Sequence, residues 1–303
     1  MLLMGLAAFV SQSLLKKNKV KKTAFIIVVT LLLLAGFDSR QVNALPFDKF
    51  VNITLTDSLP RFEEEPFWSD EFDQNVSPDT NKWSYDIGGH GWGNHELQFY
   101  TNHLKNAFIS DGKLIISAIR EPFEGMEYTS ARLVNKYKGD VLYGRIEVKA
   151  KVPSGRGTWP AIWMLPTDWE YGGWPASGEI DIMEHVGYNQ DVIHISTHCE
   201  AYYWILGNQK TATRKTEGVS TGFHLYRIDW SPQVIRGYID NELVFTNHNE
   251  GTGYKAWPFD KRFHVLLNIA VGGDWGGQQG VDESVFPANM EIDYVRIYRM
   301  LEP

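Results

Sequence analysis

Apolar and polar residues alternate with a period of two over much of the chain from residue 113 onward. KLIISAIR (113–120), LYGRIEVKAKV (142–152), FHLYRIDWS (223–231), RFHVLLNIAV (262–271) and MEIDYVRIYR (290–299) all carry the pattern of half-buried strands. VIRGYID-NELVFT (234–246) reads as a hairpin with Asp240 and Asn241 at a two-residue turn. No long amphipathic helix pattern and no internal repeat interrupts this series. Many strands separated by Gly-rich turns predict an all-β fold, a two-sheet antiparallel β-sandwich. Residues 67–303 form its one domain, beginning near Phe67.

One strand departs from simple alternation. SGEIDIMEHVG (177–187) holds Glu179, Asp181 and Glu184, separated by the apolar Ile180, Ile182 and Met183. Glu179 and Asp181 share a strand face, but Glu184, an odd number of residues from both, would point the other way. A β-bulge near Ile182–Met183 absorbs one residue and returns Glu184 to the same face. The two glutamates are then roughly 13 Å apart along the backbone, with side chains leaning together over Asp181. A retaining glycosidase needs carboxyl groups about 5–5.5 Å apart, one as nucleophile and one as general acid/base. Three clustered acids cannot all ionise cheaply, so one should hold a proton at neutral pH. A solvated edge strand could carry the same acids. The setting argues against that, with Trp159 and Trp163 upstream in GRGTWPAIWML (155–165) and His198 downstream in HISTHCE (194–200).

Composition narrows the function classes. The chain has 303 residues, 43 % of them hydrophobic, with 27 glycines, 11 tryptophans and a net charge of −8. The first 44 residues hold six Lys/Arg and one Asp, so removing them takes −8 to −13. So acidic a domain is a poor partner for nucleic acid or an anionic membrane, and mildly disfavours a sulfated glycan. The one cysteine, Cys199, excludes an internal disulfide and a Cys-based metal site. Adjacent strand residues face opposite ways, so Cys199 is expected to be a buried structural thiol and not a partner of His198. His194 and His198 lie too far apart on a strand to share a metal. His198 is expected to face the same cleft as Glu184, and His185 to be structural.

Residues 16–22 are basic, 24–37 are apolar, and Val42-Asn43-Ala44 offers a small-residue cleavage site. Residues 1–44 therefore read as a secretory signal peptide, with an uncleaved signal anchor as the alternative. A secreted protein is expected, touching a membrane only if that segment stays attached. Residues 45–66 read as a linker or N-terminal arm. Asn52 and Asn75 match the glycosylation acceptor pattern.

Two Gly-rich loops flank the acidic strand. GGHGWGNHELQFYTN (88–102) offers Trp92 as a face for a pyranose ring, with Asn94 and Glu96 for its hydroxyls. AVGGDWGGQQG (270–280) bears Trp275; it lacks the Lys-Ser/Thr and the helix of a phosphate-binding loop. Arg132, in SARLVNK (130–136), could reach a sugar hydroxyl or tune a carboxylate.

Taken together, GEIDIMEHVG, GTWPAIWML and WGNHELQFYT resemble the glycoside hydrolase family 16 endo-β-1,3-glucanases, or laminarinases. The resemblance covers roughly residues 67–300 and includes FWSDEF, SDGKLIISA and EIDYVRIY. It implies a β-jelly-roll with an open concave cleft, Glu179 as nucleophile, Glu184 as acid/base and Asp181 tuning the pair. It implies sugar contacts from Asn94, Arg132, Trp159, Trp163, His198 and Trp275. It implies no cofactor for catalysis and a structural calcium held by Glu71, the Gly112 backbone and Asp293. The expected activity is retaining endo-hydrolysis of β-1,3-glucan by a monomer whose only partner is the polysaccharide. Two rivals stand beside it. One is a β-glucan recognition protein without turnover, which the two glutamates oppose; the other applies the same chemistry to a different β-glucan or a galactan.

Overall fold

The computed structural model describes residues 60–73 and 76–301. The leader, most of the expected arm, Asn52 and Asn75 lie outside the described residues. Pairing begins before Phe67: Phe62 bridges Met300, and the Glu63 amide donates to the Arg299 carbonyl at 3.0 Å. Residues 61–63 thus line the last strand instead of belonging to a linker, and the compact unit starts at Pro60.

Two sheets stack face to face. The seven-stranded sheet runs Lys210–Lys215, Val192–His198, Glu179–His185, Thr158–Pro166, Phe263–Val271, Arg132–Val134, Ser84–Tyr85, antiparallel throughout. The ten-stranded sheet is built around Ala288–Arg299, which pairs with Gly144–Lys151 and Lys113–Phe123. Its one parallel pair joins Gln98–Tyr100 to Met126–Ser130. The expected all-β sandwich is therefore the fold. The alternating segments became Lys113–Phe123, Gly144–Lys151, His224–Trp230, Phe263–Val271 and Ala288–Arg299. The hairpin turns at Asp240 and Asn241, with φ of 49° and 67°. Two successive positive φ values match the right-handed twist of the flanking strands.

The period of two sorts each strand of the seven-stranded sheet. Ile162, Met164, Ile180, Ile193, Ile195, Val265, Leu267 and Ile269 are fully buried between the sheets. Their alternating neighbours face outward and form the floor of a cleft. At the far end of the acidic strand, an added Cβ on Gly187 would stand 1.8 Å from the Gly155 carbonyl oxygen. Only glycine lets the chain cross so close to the loop that starts the neighbouring strand.

Candidate active site

The acidic strand carries the expected bulge. Asp181 lies opposite Trp163 on one neighbour and Ser196 on the other; Glu184 lies opposite Ala161 and His194. Three residues on the acidic strand therefore span two on each partner. Ile182 and Met183 are both fully buried in the core, and Glu184 returns to the cleft face. Glu179 sits opposite His198. Residues directly opposite in an antiparallel pair share a face. The cleft floor thus gathers Glu179, Asp181, Glu184, His194, His198, Trp159, Trp163, Asn268 and Arg132.

His198 faces the Glu179 end of the acidic strand. Its Nε2 is 3.3 Å from Asp181 Oδ2 and 3.9 Å from Glu179 Oε1. It thus faces the same cleft as Glu184, as expected; the histidine directly opposite Glu184 is His194, and its ring packs edge-on against Trp275. Each glutamate has its own indole donor. Trp174 Nε1 donates to Glu179 Oε2 at 2.9 Å, and Trp159 Nε1 donates to Glu184 Oε1 at 3.1 Å.

Electrostatics in this group resist ionisation. Burial, then the charge of Asp181, pushes Glu179 up to about 8, against the opposing pull of His198 and Trp174. Burial pushes Asp181 up to about 7. Glu184 rises well above the carboxylate range, first by burial and then by the charges of Asp181 and Glu179, with His198 and Trp159 opposing. Desolvation and like charge act together on the same small volume. Both glutamates have an indole donor, but Glu179 also has His198 Nε2 within 3.9 Å. It is the better placed to carry negative charge while Glu184 keeps the proton.

The Trp159 bond can be tested on its own. Its N–H favours the ionised form of Glu184. Trp159→Phe should therefore raise the Glu184 pKa further and move the basic limb of the kcat/KM profile to higher pH. An unmoved basic limb would mean that Glu184 does not set it.

The flanking loops hold the remaining expected residues. Arg132 is sandwiched: its guanidinium carbon stands 4.6 Å from the Trp92 ring and 4.7 Å from the Trp163 ring. Trp92 was expected to offer a face to a pyranose ring and Trp163 to contact sugar; one face of each is covered by this cation. Arg132 Nε lies 3.0 Å from Asp86. Trp163 Nε1 donates to Asn268 Oδ1 at 2.7 Å, and Asn268 Nδ2 donates to the Tyr100 hydroxyl at 3.0 Å.

Glu96 turns inward. It is buried and accepts from Asn94, Gln98 and Tyr100, so its carboxylate orients Asn94 and is not offered to a ligand. The two Gly-rich loops are joined backbone to backbone, by Leu97 N to Val271 O at 2.8 Å and Asp274 N to Asn94 O at 2.7 Å. A Cβ on Gly276 would meet the Trp159 Cβ at 2.8 Å, which explains the small residue beneath that indole. Trp275 packs edge-on against Trp159 at 5.4 Å.

Three further expectations concern groups away from the carboxylates. His185 is fully buried, faces the core opposite Ile193, and is held down to about 4 by burial. Cys199 is buried, its Sγ donates to the Ala256 carbonyl at 3.5 Å, and burial raises its thiol. Both are structural. Of the calcium set, Glu71 accepts two bonds from Arg296, at 2.9 and 2.7 Å. Asp293 pairs with Lys149 at 2.8 Å, and Gly112 lies in a hairpin turn at φ 68°. A hard cation would have to displace both basic side chains. As placed, these carboxylates fit their cationic partners and not calcium.

Trp174 was not singled out in the sequence, although it stands five residues before Glu179. Nor was the Tyr100–Asn268 link, whose members are 168 residues apart.

Comparison with known proteins gives the same picture. Residues 92–296 match the family "Glycosyl hydrolases family 16". A beta-glucanase of Rhodothermus marinus is 52 % identical over 255 residues, covering 82 % of this chain and 88 % of that protein. A glucan endo-1,3-beta-glucosidase of Cryptopygus antarcticus is 38 % identical, covering 76 % of this chain and 90 % of the other. The X-ray structure of the laminarinase from Rhodothermus marinus superposes with a TM-score of 0.78 at 53 % identity, covering 80 % of this chain and 100 % of that one. Its bulged acidic strand, its jelly-roll and these relatives together make the chain a member of the glycosyl hydrolases of family 16, and a glycoside hydrolase of the β-glucanase kind.

Proposed function

We propose that this chain is a retaining endo-hydrolase of β-1,3-glucan. The observation that carries the reading is the pair of glutamates on one cleft face, astride Asp181, each with its own indole donor. In the first step a Glu179 oxygen attacks the anomeric carbon. The glycosidic C–O bond breaks as Glu184 gives its proton to the leaving oxygen. In the second step Glu184 takes a proton from water, and that oxygen attacks the anomeric carbon and releases Glu179. Asp181 and His198 sit against the nucleophile and balance its charge between the two steps. Glu179 must be ionised and Glu184 protonated at the start, and both are pushed upward. The active window should therefore lie nearer neutrality than that of ordinary carboxylates.

The polymer is read from the laminarinase and endo-1,3-glucosidase relatives, and from the net charge of −8, which disfavours a sulfated chain. The basic and apolar residues 16–37 support export, with the enzyme acting on polysaccharide outside the cell.

Incubation with laminarin, lichenan and agarose side by side tests the substrate. Laminarin should give new reducing ends of intermediate length, with the β anomer appearing first in proton NMR. Binding without new reducing ends would make the chain a recognition protein. An α anomer appearing first would remove the double displacement.

A further inference from the structure

One end of the cleft carries an exposed apolar rim that the reaction does not use. Trp174, which holds Glu179, is itself 37 % exposed. Its ring meets Tyr203 edge-on, with centroids 5.6 Å apart and planes at 88°. Tyr203 opens a short 3-10 turn, Trp204–Leu206, whose three side chains are 44, 59 and 56 % exposed. Consecutive large apolar side chains held in water on a rigid support are unusual for a surface without a ligand.

The turn is built, not loose. Asn208 Oδ1 accepts from the Tyr203 amide at 3.1 Å, and Asn208 Nδ2 donates to the Ala201 carbonyl at 3.0 Å. The Leu206 and Gly207 amides close back on Tyr203 and Trp204, and Gly207 supplies the left-handed φ of 65°. Ala201 is tied to Lys255 at 2.9 Å, next to Tyr254, which stacks on Tyr171 at 4.7 Å. Three loops thus bring Tyr171, Trp174, Tyr203, Trp204 and Tyr254 to one rim. Residues 203–207 carry no charge, so the matching ligand is neutral, with apolar faces and hydroxyl edges.

We propose that the 203–207 turn extends the substrate groove past Trp174 and binds a further glucosyl unit of the chain being cleaved. This rests on the β-glucan reading above. Continuity decides the occupant: Glu179, Trp174 and Tyr203 form an unbroken line of contacts from the reacting carboxylate to the turn. A polymer threaded through the cleft reaches this surface, whereas a short oligosaccharide held at the carboxylates does not. The turn is therefore a determinant of chain-length preference.

The test compares wild type with a Tyr203→Ala/Trp204→Ala double variant and with Tyr203→Phe. Each is assayed on laminarin and on a short β-1,3-gluco-oligosaccharide, and thermal unfolding is recorded as the control for folding. The double variant should raise KM on laminarin by about tenfold, equivalent to about 1.4 kcal/mol. The ratio of polymer KM to oligosaccharide KM should rise with it, and Tyr203→Phe, which keeps the ring, should lose far less than the double variant. An unchanged ratio overturns the proposal, and an equal loss on both substrates shows that the turn only supports Glu179 through Trp174. A wild-type dimer that the double variant turns into a monomer overturns it as well. Should wild type leave laminarin intact, the β-glucan reading fails separately. The double variant is then compared with wild type for retardation in gels containing laminarin, lichenan or agarose, and equal retardation in all three overturns the rim site.

Discussion

Glu179→Gly should lower kcat on laminarin by at least about 10⁴-fold while leaving the protein folded. The nucleophile forms a covalent bond to the sugar, and no neighbouring group can replace it. Asp181 is 2 % exposed on the cleft floor, with His198 rather than open space beside it. Added azide makes the experiment decisive. In Glu179→Gly the vacated space admits azide to the face that the carboxylate attacked, and the product is the α-glycosyl azide. In Glu184→Gly the glycosyl-enzyme still forms on a substrate with a good leaving group, and azide intercepts it to give the β-glycosyl azide. Opposite anomers from the two variants identify which glutamate does what. Swapped anomers would exchange their roles, and near-wild-type turnover in either variant would remove the assigned mechanism.

The second large effect is on stability, and its sign is opposite to intuition. Asp181→Asn should cut activity by about 10²-fold or more, by analogy with the loss of a positioned acid–base group. It should also make the protein more stable above neutral pH. The buried carboxyl titrates near 7 instead of in its ordinary range, because burial disfavours its charge. A group whose folded pKa is raised contributes stability below its unfolded pKa, and that contribution is lost as pH rises through the folded value. Wild type therefore forfeits stability between about pH 4 and pH 8, while the amide does not. A difference on the order of 2 kcal/mol at pH 8 corresponds to a Tm about 5 °C higher for the variant. The gap should close at pH 4. A variant less stable than wild type at pH 8 would mean that Asp181 is stabilised in its ionised form, and the account of a carboxyl held neutral by burial would fail. Such a trade, stability given up for a reactive cluster, is common at active sites.

Much of the site was legible because strand geometry is periodic. The odd spacing from Asp181 to Glu184 requires a bulge if both face one cleft, and Ile182 and Met183 both enter the core as that argument demands. The indoles were legible as residues, but not the protein partners that each of them takes. Trp92 and Trp163 sheathe Arg132, and Trp159 serves Glu184 through its N–H. Glu96, outwardly a hydroxyl acceptor in a polar loop, is consumed by Asn94, Gln98 and Tyr100. Trp174 stood in a Gly-Pro segment whose path no periodicity describes.

The order of apolar and polar residues alone determined which side chains of each strand enter the core and which face the cleft, because a strand has only two faces and a period of two. It also determined that three acids share one face of their strand and two tryptophans one face of theirs. Only the tertiary structure decided which partner each polar atom takes: Trp174 for Glu179, Trp159 for Glu184, His198 for Asp181, Arg132 between two indoles. Those pairings depend on the register between strands and on loops far apart in sequence, and alternation along one strand carries no information about its neighbour's offset.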